Sequence, residues 1–436
     1  MKKLIVLLCL LLLLACVPTP ETEAVVYRGD DATAKPAGAE RADLSAIPEH
    51  LNLTAQPQNG VTLQFDADVE LDRNGTFPVL EVRALDTASD PAFCERLLSL
   101  LCPNGNVCER WQPTKAELKE ELLAATAYDG RWGSIFEMED MPEVLKYLEN
   151  AYQAAPDEPQ RTAVDPGNGF LPKHSYYIER PDGGTALLTF GSEKNGGMLV
   201  DDSRTGYCTE DFIQQGDPPL DEPAISEQQA IAAADALLQS LGVECTSLLY
   251  TERGFGWRLY DRTESVRMCT YVRKIGTTNS NHQRRVFGYQ YPRDAATALG
   301  APWEGVEYIR VTVGSKGVCE VWWSGLCETA AITEKDAALC DFEQILARFQ
   351  EQLGYRYAMP EGGVTISIER LKLTYGVVSE KNKRGCGLYI PMWELSYRTD
   401  TDDQEGVWKI YLSALDGSTA EPRITTDSLL RESQNP

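Results

Sequence analysis

The chain has 436 residues and a formal charge of −25, with 66 acidic residues against 41 basic ones. That balance argues against nucleic acid as a partner and against lying flat on an anionic bilayer, since both surfaces repel an acidic protein. Hydrophobic residues make up 43%, and the length implies roughly two or three domains.

Lys2 and Lys3 are followed by an apolar run from Leu4 to Leu14, then Ala15 and Cys16. A basic start, an apolar stretch and a small residue at the cut site read as a secretory signal. The run is too short for a membrane span, which needs about 20 residues. Leu13-Leu14-Ala15-Cys16 resembles a bacterial lipobox. The resemblance implies cleavage before Cys16, a diacylglycerol on its sulfur, and a lipid-anchored chain on the extracytoplasmic face of the cell membrane. A plain signal peptide cut elsewhere is the alternative. Two acyl chains hold stably where one is marginal. Removing residues 1–15 takes Lys2, Lys3 and no acid with it, leaving 421 residues near −27.

Residues 16–58 read as the lipidated cysteine and a flexible tether, with Pro18, Pro20, Pro36, Pro48 and Pro57 and no sustained periodicity. From Val61 the pattern changes. Val61, Leu63, Phe65, Ala67, Val69 and Leu71 alternate with polar residues, the period of a half-buried strand. Asp72-Arg73-Asn74-Gly75 signals a turn, and Val79–Leu85 resumes as a second strand, so a hairpin is expected. Helices are predicted at Pro91–Leu101, from Thr114 to about Ala127, and at Pro142–Ala154. Thr114 and Glu117 have the spacing of a capping box. Val144, Leu145, Leu148 and Tyr152 form one face of the third helix. Short strands follow at Tyr176–Arg180 and Ala186–Phe190. Residues 59–215 are read as an N-terminal α+β domain.

Pro218, Pro219 and Pro223 mark the next boundary. Ser226 and Gln229 form a second capping box, Ile231, Ala234, Leu238 and Leu241 give a helical stripe, and Gly242 is placed to end the helix. Strands are predicted at Leu248–Leu259, Val266–Val272, Arg285–Tyr291, Gly305–Val313 and Val318–Trp323. A comparable order then repeats. A helix from Asp341 to Leu353 carries Phe342, Ile345, Leu346 and Phe349 on one side, and Gly354 is expected to stop it. Strands follow at Val364–Val378, Gly387–Tyr397 and Gly406–Leu415. Two tandem helix–meander units, 222–330 and 331–425, are therefore expected, with a tail at 426–436. The fold class is α+β with antiparallel sheets and amphipathic helices.

The run Ile225-Ser226-Glu227-Gln228-Gln229-Ala230-Ile231, a helix and then a strand centred on an aromatic resemble a PepSY-type module. The second unit, with Ile366–Gly376 and Ile390-Pro391-Met392-Trp393-Glu394-Leu395, resembles the C-terminal part of regulatory lipoproteins of Gram-positive bacteria. The whole chain is similar to an uncharacterised lipoprotein family of Clostridia-like bacteria, through the lipobox, Tyr27-Arg28-Gly29-Asp30, Asp66-Ala67-Asp68-Val69 and the two units. PepSY modules have been given roles in peptidase inhibition and envelope signalling. These resemblances imply a protein- or peptide-binding part in the cell envelope. They carry over no catalytic residue.

Twelve cysteines occur, and ten remain once Cys9 leaves with the signal and Cys16 is lipidated. No C-x-x-C pair is present, so zinc-ribbon and thioredoxin-like chemistry lack their signature. Outside the membrane an even number reads as disulfides, while Cys245, Cys269 and Cys340 in apolar segments also suit buried free thiols. Of the three histidines, His50 falls in the tether, and His174 and His282 lie far apart. H-E-x-x-H, G-x-S-x-G, a phosphate loop and a dinucleotide fingerprint are all absent. Only a cysteine–histidine pair close in space would bring back an envelope hydrolase. No cofactor is expected.

Glu70, Asp72, Asn74 and Glu81 match oxygen-ligand positions of a calcium loop, with Gly75 at the sixth place. Strand-like flanks and Pro78 inside the loop favour a plain turn. Asp400–Gly406 is a second acidic loop, read as a solvated hairpin tip. The aromatics Trp257, Tyr260, Tyr271, Phe287, Tyr289, Tyr291, Trp303, Tyr308, Trp322 and Trp323 concentrate in the first helix–sheet unit. Trp322 and Trp323 are adjacent, so on a strand they point to opposite faces, and one must face away from the helix. Trp257, Trp322 and Trp323 are thus the candidate binding residues, with domain packing as the plainer use. The expected function is a non-enzymatic protein- or peptide-binding regulatory module of the envelope. The alternative is a solute- or glycan-binding lipoprotein.

Overall fold

In the computed structural model the described residues are 43–417, less 59, 129–140, 159, 166–169, 172–173, 191–195, 203–204, 211–218, 259–260, 281–306, 358–362, 380–385 and 401–406. Met1–Cys16, the tether up to residue 42, Tyr260, His282, the strand expected at Arg285–Tyr291, Trp303, the acidic tip after Asp400 and the tail lie outside them.

The chain is α+β. In order, the strands are β1 (His50–Gln58), β2 (Val61–Glu70), β3 (Val79–Ala84), β4 (Asn106–Gln112), β5 (Gln160–Ala163), β6 (Ser175–Glu179), β7 (Thr185–Phe190), β8 (Gly197–Val200) and β9 (Gly206–Thr209). Then come β10 (Ser247–Arg258), β11 (Asp261–Val272), β12 (Lys274–Ile275), β13 (Thr278–Asn279), β14 (Tyr308–Gly314), β15 (Gly317–Ser324), β16 (Cys327–Glu334), β17 (Val364–Ser379), β18 (Cys386–Thr399) and β19 (Trp408–Ser413). The five described α-helices are α1 (Pro91–Leu101), α2 (Lys115–Ala127), α3 (Met141–Ala154), α4 (Glu227–Leu241) and α5 (Phe342–Arg356).

Two large sheets result. A ten-stranded sheet has the order β5-β4-β6-β7-β8-β15-β14-β11-β10-β9. A seven-stranded sheet has the order β1-β2-β17-β18-β3-β16, with β19 also beside β18. Pairing is antiparallel except for β2 with β17. β18 passes from one partner to another along its length. Cys386–Tyr389 pairs with β3, and Met392–Tyr397 pairs with β19. Pro391 falls at the handover, where a residue with no N–H to donate costs no ladder bond.

Helix followed by meander occurs twice. After α4, the strands β10, β11, β14 and β15 are neighbours in chain order, and after α5 so are β17, β18 and β19. The segment expected as an N-terminal domain, by contrast, builds no sheet of its own. β1–β3 join the seven-stranded sheet and β4–β9 the ten-stranded one. The expected β2–β3 hairpin does not form either, because β17 and β18 lie between these strands. The turn at Ser324-Gly325 is a crossover between sheets, since β15 and β16 belong to different ones. The boundary drawn at 330/331 therefore cuts through β16. The tether also ends earlier than expected. A short 3-10 turn at Leu44–Ala46 and β1 are ordered, with β1 pairing along β2.

Local signals placed the helices well. Thr114 and Ser226 both form complete capping boxes, with Glu117 and Gln229. Gly242 ends α4 in the left-handed region at φ 70°, its N–H donating to Leu238 O at 3.1 Å. Gly354 does not end α5, which continues to Arg356. Two contacts with Tyr397 Oη hold that last turn, from Arg356 Nη1 and from Tyr357 Oη, each at 3.1 Å.

Each helix–meander half has its own core. Ala230, Ala234, Leu238 and Leu241 of α4, with Phe93 and Leu97 of α1, pack on Tyr271, Ile309, Val311 and Trp323. Ile345, Phe349 and Leu353 of α5 pack on Phe65, Leu371, Trp393 and Leu395. Burial of a side chain such as Phe349, at 0% exposure, contributes about 2–3 kcal/mol. The outward alternation of β2 is as expected, with Val61, Leu63, Phe65, Ala67 and Val69 buried. The α2–α3 pair forms a small core of its own around Leu118, Ala125, Met141 and Leu148. Among the described residues no helix is long and apolar enough to cross a membrane.

Candidate functional site

The candidate tryptophans separate as adjacent strand residues must. Trp323 faces the helices and is 1% exposed. Its Nε1–H donates to Thr87 Oγ1 at 3.1 Å, and its ring lies 5.7 Å from Phe93 and 6.2 Å from Phe190. It is a core residue. Trp322 faces away and is 40% exposed. The Arg310 guanidinium lies over its ring at 4.7 Å, and Arg310 Nη2 also reaches Glu320 Oε2 at 3.3 Å. Thr312 Oγ1 donates to the same carboxylate oxygen at 2.7 Å. Burial pushes the Glu320 carboxyl up, and Arg310 and Thr312 oppose that. Trp257 packs elsewhere, over Gly206 of β9. A Cβ at Gly206 would meet its ring at 2.5 Å, so the close approach requires glycine there. Among the candidate tryptophans, Trp322 is the exposed one that the sheet turns outward.

The calcium-loop residues do not converge. Glu70 accepts from Arg370 Nη2 at 2.6 Å. Asp72 turns on itself, with Asn74 N–H donating to its Oδ1 at 3.0 Å and Gly75 N–H to its carbonyl at 3.2 Å. Its carboxyl is held below the usual range by a hydrogen bond from Thr277 and by these turn N–H groups. The turn thus packs on the β12–β13 hairpin. Glu81 lies on β3, opposite Ala331 of β16. No group of three or more metal-ligating side chains is present among the described residues.

A buried ionic joint between the two sheets went unread in the sequence. Arg273 follows β11 and Glu307 precedes β14, and their side chains are 3% and 1% exposed. Arg273 Nε donates to Glu307 Oε2 at 2.6 Å and Nη2 to Oε1 at 2.9 Å, a two-pronged pair. Glu307 also accepts from Cys327 N–H at 3.1 Å and from Tyr389 Oη–H at 2.9 Å, both on the seven-stranded sheet. Arg273 Nη2 reaches the Cys327 carbonyl at 2.6 Å. Glu244 bonds Arg273 and accepts from Thr329 N–H at 3.0 Å. Burial pulls the guanidinium down, but Glu307 more than offsets this and keeps it charged. Burial, then the Glu307 charge, pushes the Cys327 thiol up and disfavours its thiolate. The one visible trace of this joint in the sequence is a charge directly after Val272, the last residue of the expected strand Val266–Val272.

His50, expected in the tether, begins β1. Its Nδ1 lies 2.9 Å from Asp68 Oδ1 and its Nε2 2.9 Å from Asp66 Oδ1. His174 lies elsewhere, beside Tyr176 at 6.4 Å between rings. No disulfide joins the ten described cysteines, and seven of them are buried. Two depressions carry no aromatic lining among the described residues. One is bordered by Gln56, Thr62 and Thr365, the other by Leu101, Leu199, Asp201, Val318 and Cys319.

No family model matches the chain, and no curated protein matches it. Two solved structures are similar in outline. An uncharacterized protein from Eubacterium rectale ATCC 33656 aligns at a TM-score of 0.44 and 10% identity, covering 86% of this chain and 94% of that one. The C-terminal domain of Bacillus megaterium YpeB aligns at 0.26 and 11% identity, covering 57% of this chain and 80% of that one. At these scores neither likeness bears on function.

Proposed function

We propose that the chain is a lipoprotein of a Clostridia-like Gram-positive bacterium. It is held to the extracytoplasmic face of the cell membrane by a diacylglycerol on Cys16. It acts without catalysis, through PepSY-like helix–sheet units that bind a protein or peptide of the envelope. The anchor rests on Leu13-Leu14-Ala15-Cys16 after the apolar run. The binding reading rests on one observation. β16 ends the seven-stranded sheet, and its residues Glu328 and Ala330–Thr333 are exposed, with Ile332 57% exposed. An open sheet rim suits a polypeptide partner better than a small solute.

A second reading, a solute- or glycan-binding lipoprotein, is favoured by the half-exposed Trp322. Against it, Arg310 covers one ring face, and neither depression carries an aromatic wall for a sugar. A hydrolase gains little support. Cys327 has a carboxylate at 3.3 Å, but the described histidines His50 and His174 are engaged elsewhere.

The test has two parts. Radiolabelled palmitate should enter the protein in the expressing cell and be lost in Cys16→Ser. The detergent-solubilised lipoprotein should then recover a specific envelope protein from its own membranes. Recovery of cell-wall fragments or solutes alone would move the second reading to first place.

A further inference from the structure

Building on the binding reading, we infer that the open rim of β16, Ala330–Thr333, is the docking edge. It takes an extended segment of a partner protein, apolar in its centre and basic at its flanks, as an additional strand of the seven-stranded sheet.

β16 pairs with β3 on one side only. On its other side the first residues are already closed by side chains from the ten-stranded half. Cys327 N–H donates to Glu307, the Cys327 carbonyl accepts from Arg273, and Thr329 N–H donates to Glu244. These bonds stop at Thr329. Among the described residues, no strand or side chain bonds the backbone of Ala330–Thr333 from that side. The molecule thus seals one half of this edge with a charged cluster and leaves the other half open.

Natural sheet edges are commonly guarded by lysine, proline, inward charges or bulges. Here the ladder to β3 is irregular at Thr329/Ala331 and at Ile332/Glu334, and Glu328 and Glu334 stand at the ends. The centre, Ala330-Ala331-Ile332, carries neither charge nor proline. Ile332 offers an apolar contact, and the two alanines leave room for larger side chains on an added strand. Polarity follows from charge. Glu81 lies opposite Ala331 and Arg83 opposite Glu328, Lys335 and Asp336 follow Glu334, and Glu244 pairs with Arg273 beside Thr329, so acidic groups outnumber basic ones along this rim. The whole chain adds −25. Basic flanks meet that field, and acidic ones are repelled.

The test uses the full chain in detergent micelles with fluorescent peptides KKVTVTVKK and EEVTVTVEE, read by anisotropy and amide hydrogen exchange. The lysine-flanked peptide should bind at least about tenfold more tightly and protect amides at 330–333. Ala331→Pro and Ile332→Lys should each weaken it by about tenfold or more, with Trp322→Ala unchanged. Ile332→Lys keeps the backbone intact should the proline variant misfold. Equal binding of both peptides would overturn the inference. So would protection confined to other strands, or protection of 330–333 by the protein's own concentration with no peptide, which would give the edge to a second copy. If the partner recovered from membranes is lost with Trp322→Ala and kept with Ile332→Lys, the binding reading stands and this edge is rejected.

Discussion

Removing the charge of Glu307 while keeping its shape should destabilise the whole molecule. Each carboxylate oxygen accepts two N–H or O–H donors. Oε2 takes Arg273 Nε and Tyr389 Oη, and Oε1 takes Arg273 Nη2 and Cys327 N. In Glu307→Gln one oxygen becomes an NH2 group. With the NH2 in place of Oε1, Arg273 Nη2 and Cys327 N–H face a donor; with it in place of Oε2, Arg273 Nε does, while the Tyr389 hydroxyl can turn and accept, all in a site where the side chain is 1% exposed. One or two unsatisfied donors at about 1–3 kcal/mol each give about 1–6 kcal/mol. Breaking a buried ion pair costs about 3–5 kcal/mol by the separate measure of an uncompensated charge. We therefore expect a loss of about 3–5 kcal/mol, a large share of the roughly 5–15 kcal/mol of a typical domain. Urea unfolding would be followed by tryptophan fluorescence and far-UV circular dichroism. Arg273→Met should cost a similar amount. The double variant Arg273→Met/Glu307→Leu should cost clearly less than the sum, because no charge is then left stranded. A Glu307→Gln cost below about 1 kcal/mol, or strict additivity, would refute the joint as an energetic link between the sheets.

Three further outcomes are expected. A neutral imidazole can donate from only one nitrogen, so His50 donates to both carboxylates only when doubly protonated. Its pKa is raised, first by the Asp68 hydrogen bond, with burial opposing and Asp66 adding to it. Proton NMR should show it titrating above the ordinary histidine value. Its contribution should be complete at acidic pH and fade as pH rises through that raised value, with faster amide exchange in β1; unchanged exchange would refute the clip. Asp201 is pushed up to about 6 by burial, against the opposing charge of Arg180. The folded state then holds this proton more tightly than the unfolded one, so stability from this group falls as pH rises from about 4 to 6. Asp201→Asn should be more stable than the parent at pH 7 and level with it at pH 4, as thermal melts would show. Ser226→Ala should cost about 1 kcal/mol through loss of the capping box, and Gly242→Ala about the same through its positive φ, in chemical denaturation.

What could be read from the sequence was what neighbouring residues decide. The capping boxes at Thr114 and Ser226, the bounds of α1 and the alternation of β2 all depend on groups a few residues apart. Gly242 and Gly354 show the limit of that logic. Both follow an apolar helical stripe, yet only Gly242 ends its helix. At Gly354 the chain gains more by continuing, since one further turn brings Arg356 and Tyr357 to Tyr397 on β18. β1 was hidden by its polar, proline-bearing sequence. Half of its side chains face solvent, and its identity as a strand comes from the partner β2, not from its own pattern.

Which strand pairs with which is decided at long range, and that governs the candidate sites too. β2 and β3 are eight residues apart in the chain and two strands apart in the sheet, with β17 and β18 inserted between them. The C-terminal meander therefore cannot complete its sheet without residues 50–84. The N-terminal segment supplies strands to both halves, and the Arg273–Glu307 joint then bonds the two halves across their seam. An arrangement of this kind resists sliding of one sheet against the other, because any shift strands a buried guanidinium and carboxylate. Its outer strands are free of that constraint. β16 is the strand where both conditions meet: its first residues are fixed by the joint, and the residues that follow present an open rim. A partner strand seated there would be held in a set register by a support that does not yield, which reduces the ordering cost of binding to that of the partner's own segment.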